Sequence, residues 1–253
     1  MGSGSPKKPL QKGPGPIHRR VGDEALLSKD SRRAVLNGQS LSDIAYERLV
    51  AMLRSRDLQP NDLIMERQIA RHLKLSRTPL REAIRRLEGE NILERQRGGT
   101  LIVKALSIED LLHIWLVRIL VEGEAARRAA AIILVREVSI QELAGIRKRL
   151  QTIKDDKQRS PDVNRNLALA RDLHLWIAQA SGNPVLASII GELRNRSELL
   201  TVRRVPDRLI QSCNEHLTIV EALLAGNGDE ARLAMQKHIE NIRHYTLEKL
   251  GAL

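Results

Sequence analysis

Residues 74–90 read KLSRTPLREAIRRLEGE, and the fold of the N-terminal half turns on this stretch. Leu80, Ala83, Ile84 and Leu87 recur at three- and four-residue intervals, which stacks them on one face of a helix. Arg77, Arg81 and Arg85 step four residues at a time along another face. Ser76 stands at the N-cap, and Pro79 falls in the first turn, where a missing amide hydrogen costs nothing. Such a helix either shows water a charged face or presents its arginines to a polyanion. The flanking sequence decides between the two.

Upstream, Leu41, Ile44, Ala45, Leu49, Met52 and Leu53 predict an amphipathic helix over 41–55, ended by DLQPND at 57–62. A short helix over 66–72 turns Ile69, Ala70 and Leu73 inward and is followed by the turn KLS. Downstream, NILERQRGGTLIVKA gives two short apolar strands, 92–95 and 100–103, joined by a turn holding Gly98 and Gly99. Helix, helix, turn, helix and hairpin make a winged helix-turn-helix over 41–104, with residues 74–90 as the helix that enters the major groove. Arginines near its start reach base edges through two donors, while Ser76 and Thr78 suit phosphate oxygens.

Charge agrees with a polyanionic partner. The 253 residues hold 42 Lys and Arg against 31 Asp and Glu, a formal charge of +11. Eight basic and three acidic residues fall in 1–40, and thirteen against nine in 41–104, so the excess sits beside the arginine helix. Residues 1–40, opening MGSGSPKKPLQKGPGPIHRR, read as a disordered basic tail. One cysteine, Cys213, excludes an intramolecular disulfide framework and suits a reducing, cytoplasmic compartment. No apolar run approaches the roughly 20 residues of a bilayer span, so no membrane association is expected.

From Ser107 to about residue 250 helical period dominates, broken at DDKQRSPD, SGNP, VPD and GNGD, which predicts an all-α second domain over 107–250. His174, His216 and His238 each fall on a separate predicted helix. Taken singly, a histidine on a half-apolar helix is an ordinary core or surface residue. Asn183 is placed to cap a helix or close a turn, and Trp115 and Trp176 to fill the core.

The run MERQIARHLKLSRTPLREAIRRLEGENILERQRGGTLIV, 65–103, resembles the DNA-binding domain of the GntR family of bacterial transcriptional regulators, whose pattern is an Arg before the second helix, a SRTPVREAL-like recognition segment and a Gly-containing wing. The resemblance implies DNA contact by Arg67, by Arg77, Thr78 and Arg81, and by Arg97 and Gly98 in the wing. Arg56, Asn61 and Lys74 stand where that family habitually has glycine. A left-handed backbone at Lys74 would cost roughly 1 kcal/mol.

LVRILVEGEAARRAA, LHLWIAQASGN and EHLTIVEALLAGNGDEARLAMQKHI resemble the FCD domain of the FadR-like branch of the same family. The resemblance implies an antiparallel helical bundle whose interior holds a small carboxylate effector, in many members beside a divalent metal bound by one Asp and three His. It also implies a homodimer, commonly a repressor, on a pseudo-palindromic operator. Here the position four residues before the first histidine is Ala170. Asp172 lies about 200° round the helix, and Asn166 roughly 12 Å along it. Three neutral imidazoles still suffice for Zn²⁺ or a similar ion with open positions. The alternative is a metal-free pocket in which His174, His216 and His238 bond the effector directly. Arg118 matches the arginine that the resemblance sets against an anionic effector, whereas spacing alone pairs it with Glu122.

The expected function is a sequence-specific DNA-binding regulator controlled by a small carboxylate. A DNA-binding protein whose helical domain only dimerises is the alternative. A three-His metal hydrolase is a remote one, since the sequence pairs no evident general base with the histidines and has no phosphate-binding glycine loop.

Overall fold

The computed structural model describes residues 39–133, 137–155, 163–200 and 208–251. Of the tail expected over 1–40, residues 1–38 lie outside the described residues, as do the interruptions at 156–162 and 205–207, while Ser40 belongs to the first helix as its cap. The chain divides into two compact units, Met1–Lys104 and Ala105–Leu253.

The first unit is the winged helix-turn-helix: α1 (Leu41–Ser55), α2 (Glu66–Leu73), α3 (Arg77–Gly89), β1 (Leu93–Arg95) and β2 (Leu101–Val103). Leu49, Leu53, Ile69, Leu80, Ile84, Leu87 and Ile92 fill its core. Ser40 caps α1 by accepting from the Asp43 amide. Ser76 occupies the N-cap of α3 with extended backbone, but its hydroxyl makes no capping bond. Arg56, Asn61 and Lys74 all have positive φ, at 66°, 73° and 54°, and Asn91 joins them at 56°. Each ends a helix or turns a connection, so the backbone takes the left-handed conformation despite its cost to a side chain. The strands pair antiparallel, Glu94 opposite Ile102, around a turn in which Gly98 and Gly99 have φ of 96° and 84°. The segment after α1, expected only to break it, also lines the far edge of β2. The Asn61 and Ile64 amides donate to Val103 and Leu101, and Val103 donates to Asp62. This pairing fixes the approach to α2.

The second unit comprises α4 (Ile108–Ile133), α5 (Glu137–Asp155), α6 (Val163–Ala180), α7 (Pro184–Leu200), α8 (Leu209–Leu224) and α9 (Gly228–Leu250). Ser107 opens α4 by accepting from the Asp110 amide, and the Asp110 carboxylate accepts from the Ser107 amide in return. The centre of the bundle is α4, against which α6, α7, α8 and above all α9 pack. Ala125, Ala126, Ala129 and Ala130 are buried there, and at Gly123 a side-chain carbon would come within 2.8 Å of Gln236, so small residues set the close α4–α9 crossing. Asn183 Oδ1 accepts from the Val185 and Leu186 amides and caps α7. Trp115 is core. Trp176 is only partly buried and donates its indole N–H to Glu142.

Candidate functional site

Two sets of side chains, one in each unit, carry chemistry. In the first unit the α3 register that buries Leu80, Ala83, Ile84 and Leu87 leaves Arg77, Thr78, Arg81 and Arg85 exposed. Arg67 falls inside the first turn of α2 rather than before it, and with Ser76, Arg97 and Gly98 it is exposed as well. The arginines differ in what holds them. Arg81 Nε donates to Glu66 at 3.0 Å, and Glu66 also lies 3.7 Å from Arg95, which in turn donates to Glu88 at 3.1 Å and to the Gly99 carbonyl at 3.1 Å. One carboxylate of α2 therefore links the recognition helix to the first strand of the wing. Arg86 takes a different role, lying 3.7 Å over the Tyr46 ring and pairing with Glu90.

In the second unit His174 on α6, His216 on α8 and His238 on α9 come together in the interior, at 2, 2 and 1 % exposure. Their Nε2 atoms form a triangle with edges of 3.3, 3.3 and 3.1 Å. Two of the rings are oriented from behind. His174 Nδ1 lies 2.5 Å from Glu122 of α4, and His238 Nδ1 lies 2.7 Å from Glu215 of α8. An ionised carboxylate only accepts, so each of these rings donates from Nδ1 and turns an Nε2 lone pair to the centre.

Electrostatics support that assignment. Burial pushes the Glu122 carboxyl up, but Arg118, His174 and Arg194 together outweigh it and hold it well below the usual carboxylate range. Burial, reinforced by Arg194, pushes His174 down to about 3 against the pull of Glu122. Burial and the other two rings push His216 far down. His238 is lowered by burial in spite of its bond to Glu215. Three neutral imidazoles thus face one another at a distance where bare lone pairs repel. Nitrogens bound to one zinc at about 2.0–2.1 Å in tetrahedral directions lie roughly 3.3 Å apart, so the triangle fits one face of a coordination shell. The donors suit Zn²⁺ or a similar divalent ion.

Ala170, one turn before His174, is half-buried and brings no oxygen, and Asp172 turns outward at 54 % side-chain exposure. Among the described residues the three histidines form the one cluster with metal-ligand spacing. Arg118 is buried and donates from Nε to Glu122 at 2.7 Å and from a terminal nitrogen to Ser197 at 3.1 Å, so the pairing expected from spacing is made. Sequence reasoning did not place Glu122, Glu215 or Arg194 at the site. Glu122 was visible as the partner of Arg118 but not as a support for a histidine. Arg194 sits in a run of polar residues on α7 with nothing to distinguish it.

Comparison with known proteins covers both units. Residues 41–103 match the family described as bacterial regulatory proteins, gntR family, and residues 113–241 match the FCD domain. A protein of Escherichia coli (strain K12), provisionally named L-lactate dehydrogenase operon regulatory protein, is 28% identical over 245 residues, covering 83% of this chain and 87% of that one. The HTH-type transcriptional repressor NanR of Salmonella newport (strain SL254) is 23% identical over 244 residues, with 85% and 89% covered. Among solved structures, E. coli McbR/YncC superposes with a TM-score of 0.71 at 20% identity, covering 84% of this chain and 99% of that one, a likeness of fold. No helix among the described residues is long and apolar enough to cross a membrane.

Proposed function

The chain belongs to the gntR family of bacterial regulatory proteins and carries an FCD domain, so it is a transcriptional regulator, and from that premise we propose that it is a cytoplasmic, homodimeric repressor whose operator affinity is set by a small carboxylate bound at the three histidines. The observation that carries this reading is the convergence of His174, His216 and His238, from three helices, on one point. A species bound there adds one shared link among α6, α8 and α9, of which α8 and α9 are already tied by the bonds of Glu215 to His238 and Asn241. It shifts the DNA-binding equilibrium if those elements are arranged differently in the bound and released states.

His174, His216 and His238 hold a divalent cation in this reading, with Glu122 and Glu215 orienting two of the rings. When bound, that ion supplies Lewis acidity and open positions for an acid. Sensing rather than catalysis is supported by the carboxylates nearest the nitrogens. Both bond ring N–H groups and cations, so neither is free to serve as a general base. Repression has a precedent in the Salmonella relative, which is named as a repressor. Dimerisation is supported by a stripe on α4, where Ile108, Leu112, Leu116 and Leu120 recur every four residues and stay exposed, the last by 60 %. An apolar line of roughly 18 Å on a helix of a water-exposed unit suits a second copy of the chain, which would give two recognition helices and a pseudo-palindromic operator.

The test is the double variant His216→Ala/His238→Ala. It is expected to lose metal uptake and the effector response of operator binding, while dimerisation and DNA affinity without effector stay as in the parent. A double variant that still responds to its effector would place sensing elsewhere.

A further inference from the structure

The tip of the wing has no packing of its own. Residues 94–100 are all exposed, and a side-chain carbon placed on Gly98 or Gly99 would meet nothing within 4 Å, so the turn stands clear of the helices. Two backbone bonds close it on itself, from the Gln96 amide to the Thr100 carbonyl at 2.8 Å and from the Gly99 amide to the Gln96 carbonyl at 3.0 Å. They fix the shape of the turn but not its direction, because a stretch with no buried side chain has little to resist bending.

Arg95, the last residue of β1, ties the turn down. Each of its three guanidinium nitrogens goes to a different element. Nε donates to Glu88 of α3 at 3.1 Å, one terminal nitrogen donates to the Gly99 carbonyl of the turn at 3.1 Å, and the other lies 3.7 Å from Glu66 of α2. With Arg95 44 % exposed and the two carboxylates 27 and 25 %, such pairs add little to stability. Their effect is on geometry. The planar fork of a guanidinium holds several acceptors in fixed directions, which an ammonium on a flexible stem does not. Bracketed by two carboxylates, Arg95 also has little net charge to offer a phosphate.

We propose that Arg95 is a positioning residue for DNA recognition, setting the angle between the wing and α3 and hence where Arg97, at the tip, meets the duplex. This rests on the reading that α3 and the wing both touch DNA. Two elements that address neighbouring stretches of one duplex read it in register only if the angle between them is fixed. Arg95 itself touches no base on this account and acts through the wing.

The probe is an operator duplex selected from random DNA by the full-length parent, with a scrambled duplex of equal length for nonspecific binding, both followed by fluorescence anisotropy. Arg97→Ala is expected to lower the ratio of operator to scrambled affinity. An unchanged ratio sinks the wing reading and this inference with it. Arg95→Ala is expected to lower the same ratio roughly 3-fold or more in the parent and to have little further effect in Arg97→Ala, a coupling ordinary for residues of one network. Arg95→Lys keeps the charge but not the fork and is expected to lose as much as Arg95→Ala. Glu88→Gln, which removes the anchor on α3 and leaves Arg95 in place, is expected to lower the ratio too, and it carries the test should Arg95→Ala fail to fold. A direct phosphate contact gives the opposite results: Arg95→Lys binding as the parent does, Glu88→Gln raising affinity for both duplexes equally, and the Arg95→Ala and Arg97→Ala losses adding. Any of these, with Arg97→Ala lowering the ratio as expected, overturns the positioning role alone.

Discussion

Arg81 shows how a single side chain is prepared for a partner. Its side chain is 60 % exposed yet held at 3.0 Å by Glu66, which would limit the rotamers available to it in meeting a base edge. Replacing Arg77 or Arg81 by Ala should weaken specific operator binding by roughly 1–3 kcal/mol if either reads a base, with altered preference at one position of the half-site. Glu66→Gln separates aim from charge. It removes a negative group beside Arg81 and Arg95, so nonspecific affinity should rise while discrimination between operator and random sequence falls, both measurable by fluorescence anisotropy. Equal gains on both DNAs would show that Glu66 contributes charge alone. Lys74 carries a backbone cost instead, since its φ is 54°. Lys74→Gly should raise the thermal stability of the first unit by up to about 1 kcal/mol. Its left-handed turn was legible in the sequence because a side chain stands where glycine is habitual. The Glu66–Arg81 contact was not, because it joins residues fifteen positions apart on two helices whose crossing periodicity does not specify.

At the scale of the element, apolar spacing named the inward residues of α1, α2 and α3, whereas for α6, α8 and α9 it marked the three helices that carry His174, His216 and His238 and left their inward faces open. Nor did spacing tell which carboxylate serves which ring. Glu215 adjoins His216 in sequence but bonds His238, since neighbours on a helix point about 100° apart and only the packing of α8 on α9 brings that pair together. The burial of these rings has a consequence for pH. His174 titrates at about 3 when folded against an ordinary value of 6.5, and His216 and His238 are lowered too. As pH falls below about 6.5 the unfolded chain takes up protons that the folded helices refuse. The stabilisation is therefore complete above that pH and is lost progressively toward 3. Glu122, also lowered, adds a loss of the same sign that begins near its ordinary 4.5. Metal-free protein should melt at a lower temperature at pH 5 than at pH 7.5 by calorimetry, and an unchanged melting temperature would contradict neutral, buried rings.

For the whole molecule, the exposed line along α4 predicts how copies associate. Leu116→Glu or Leu120→Glu, at the two most exposed positions of the stripe, should yield a monomer by sedimentation with its helical content intact, and operator affinity should fall steeply because paired half-sites no longer act together. A variant that remains dimeric would place the interface elsewhere. The three rings impose a different property, one of time. They are almost completely enclosed and come from three helices, so whatever lies between them leaves only when the bundle opens locally, a motion of microseconds to seconds or slower. Exchange at the centre is then clocked by the breathing of the protein rather than by diffusion. A cation or an acid bound at the centre would share that gate, so the regulator would follow a changing concentration of the acid no faster than the bundle opens.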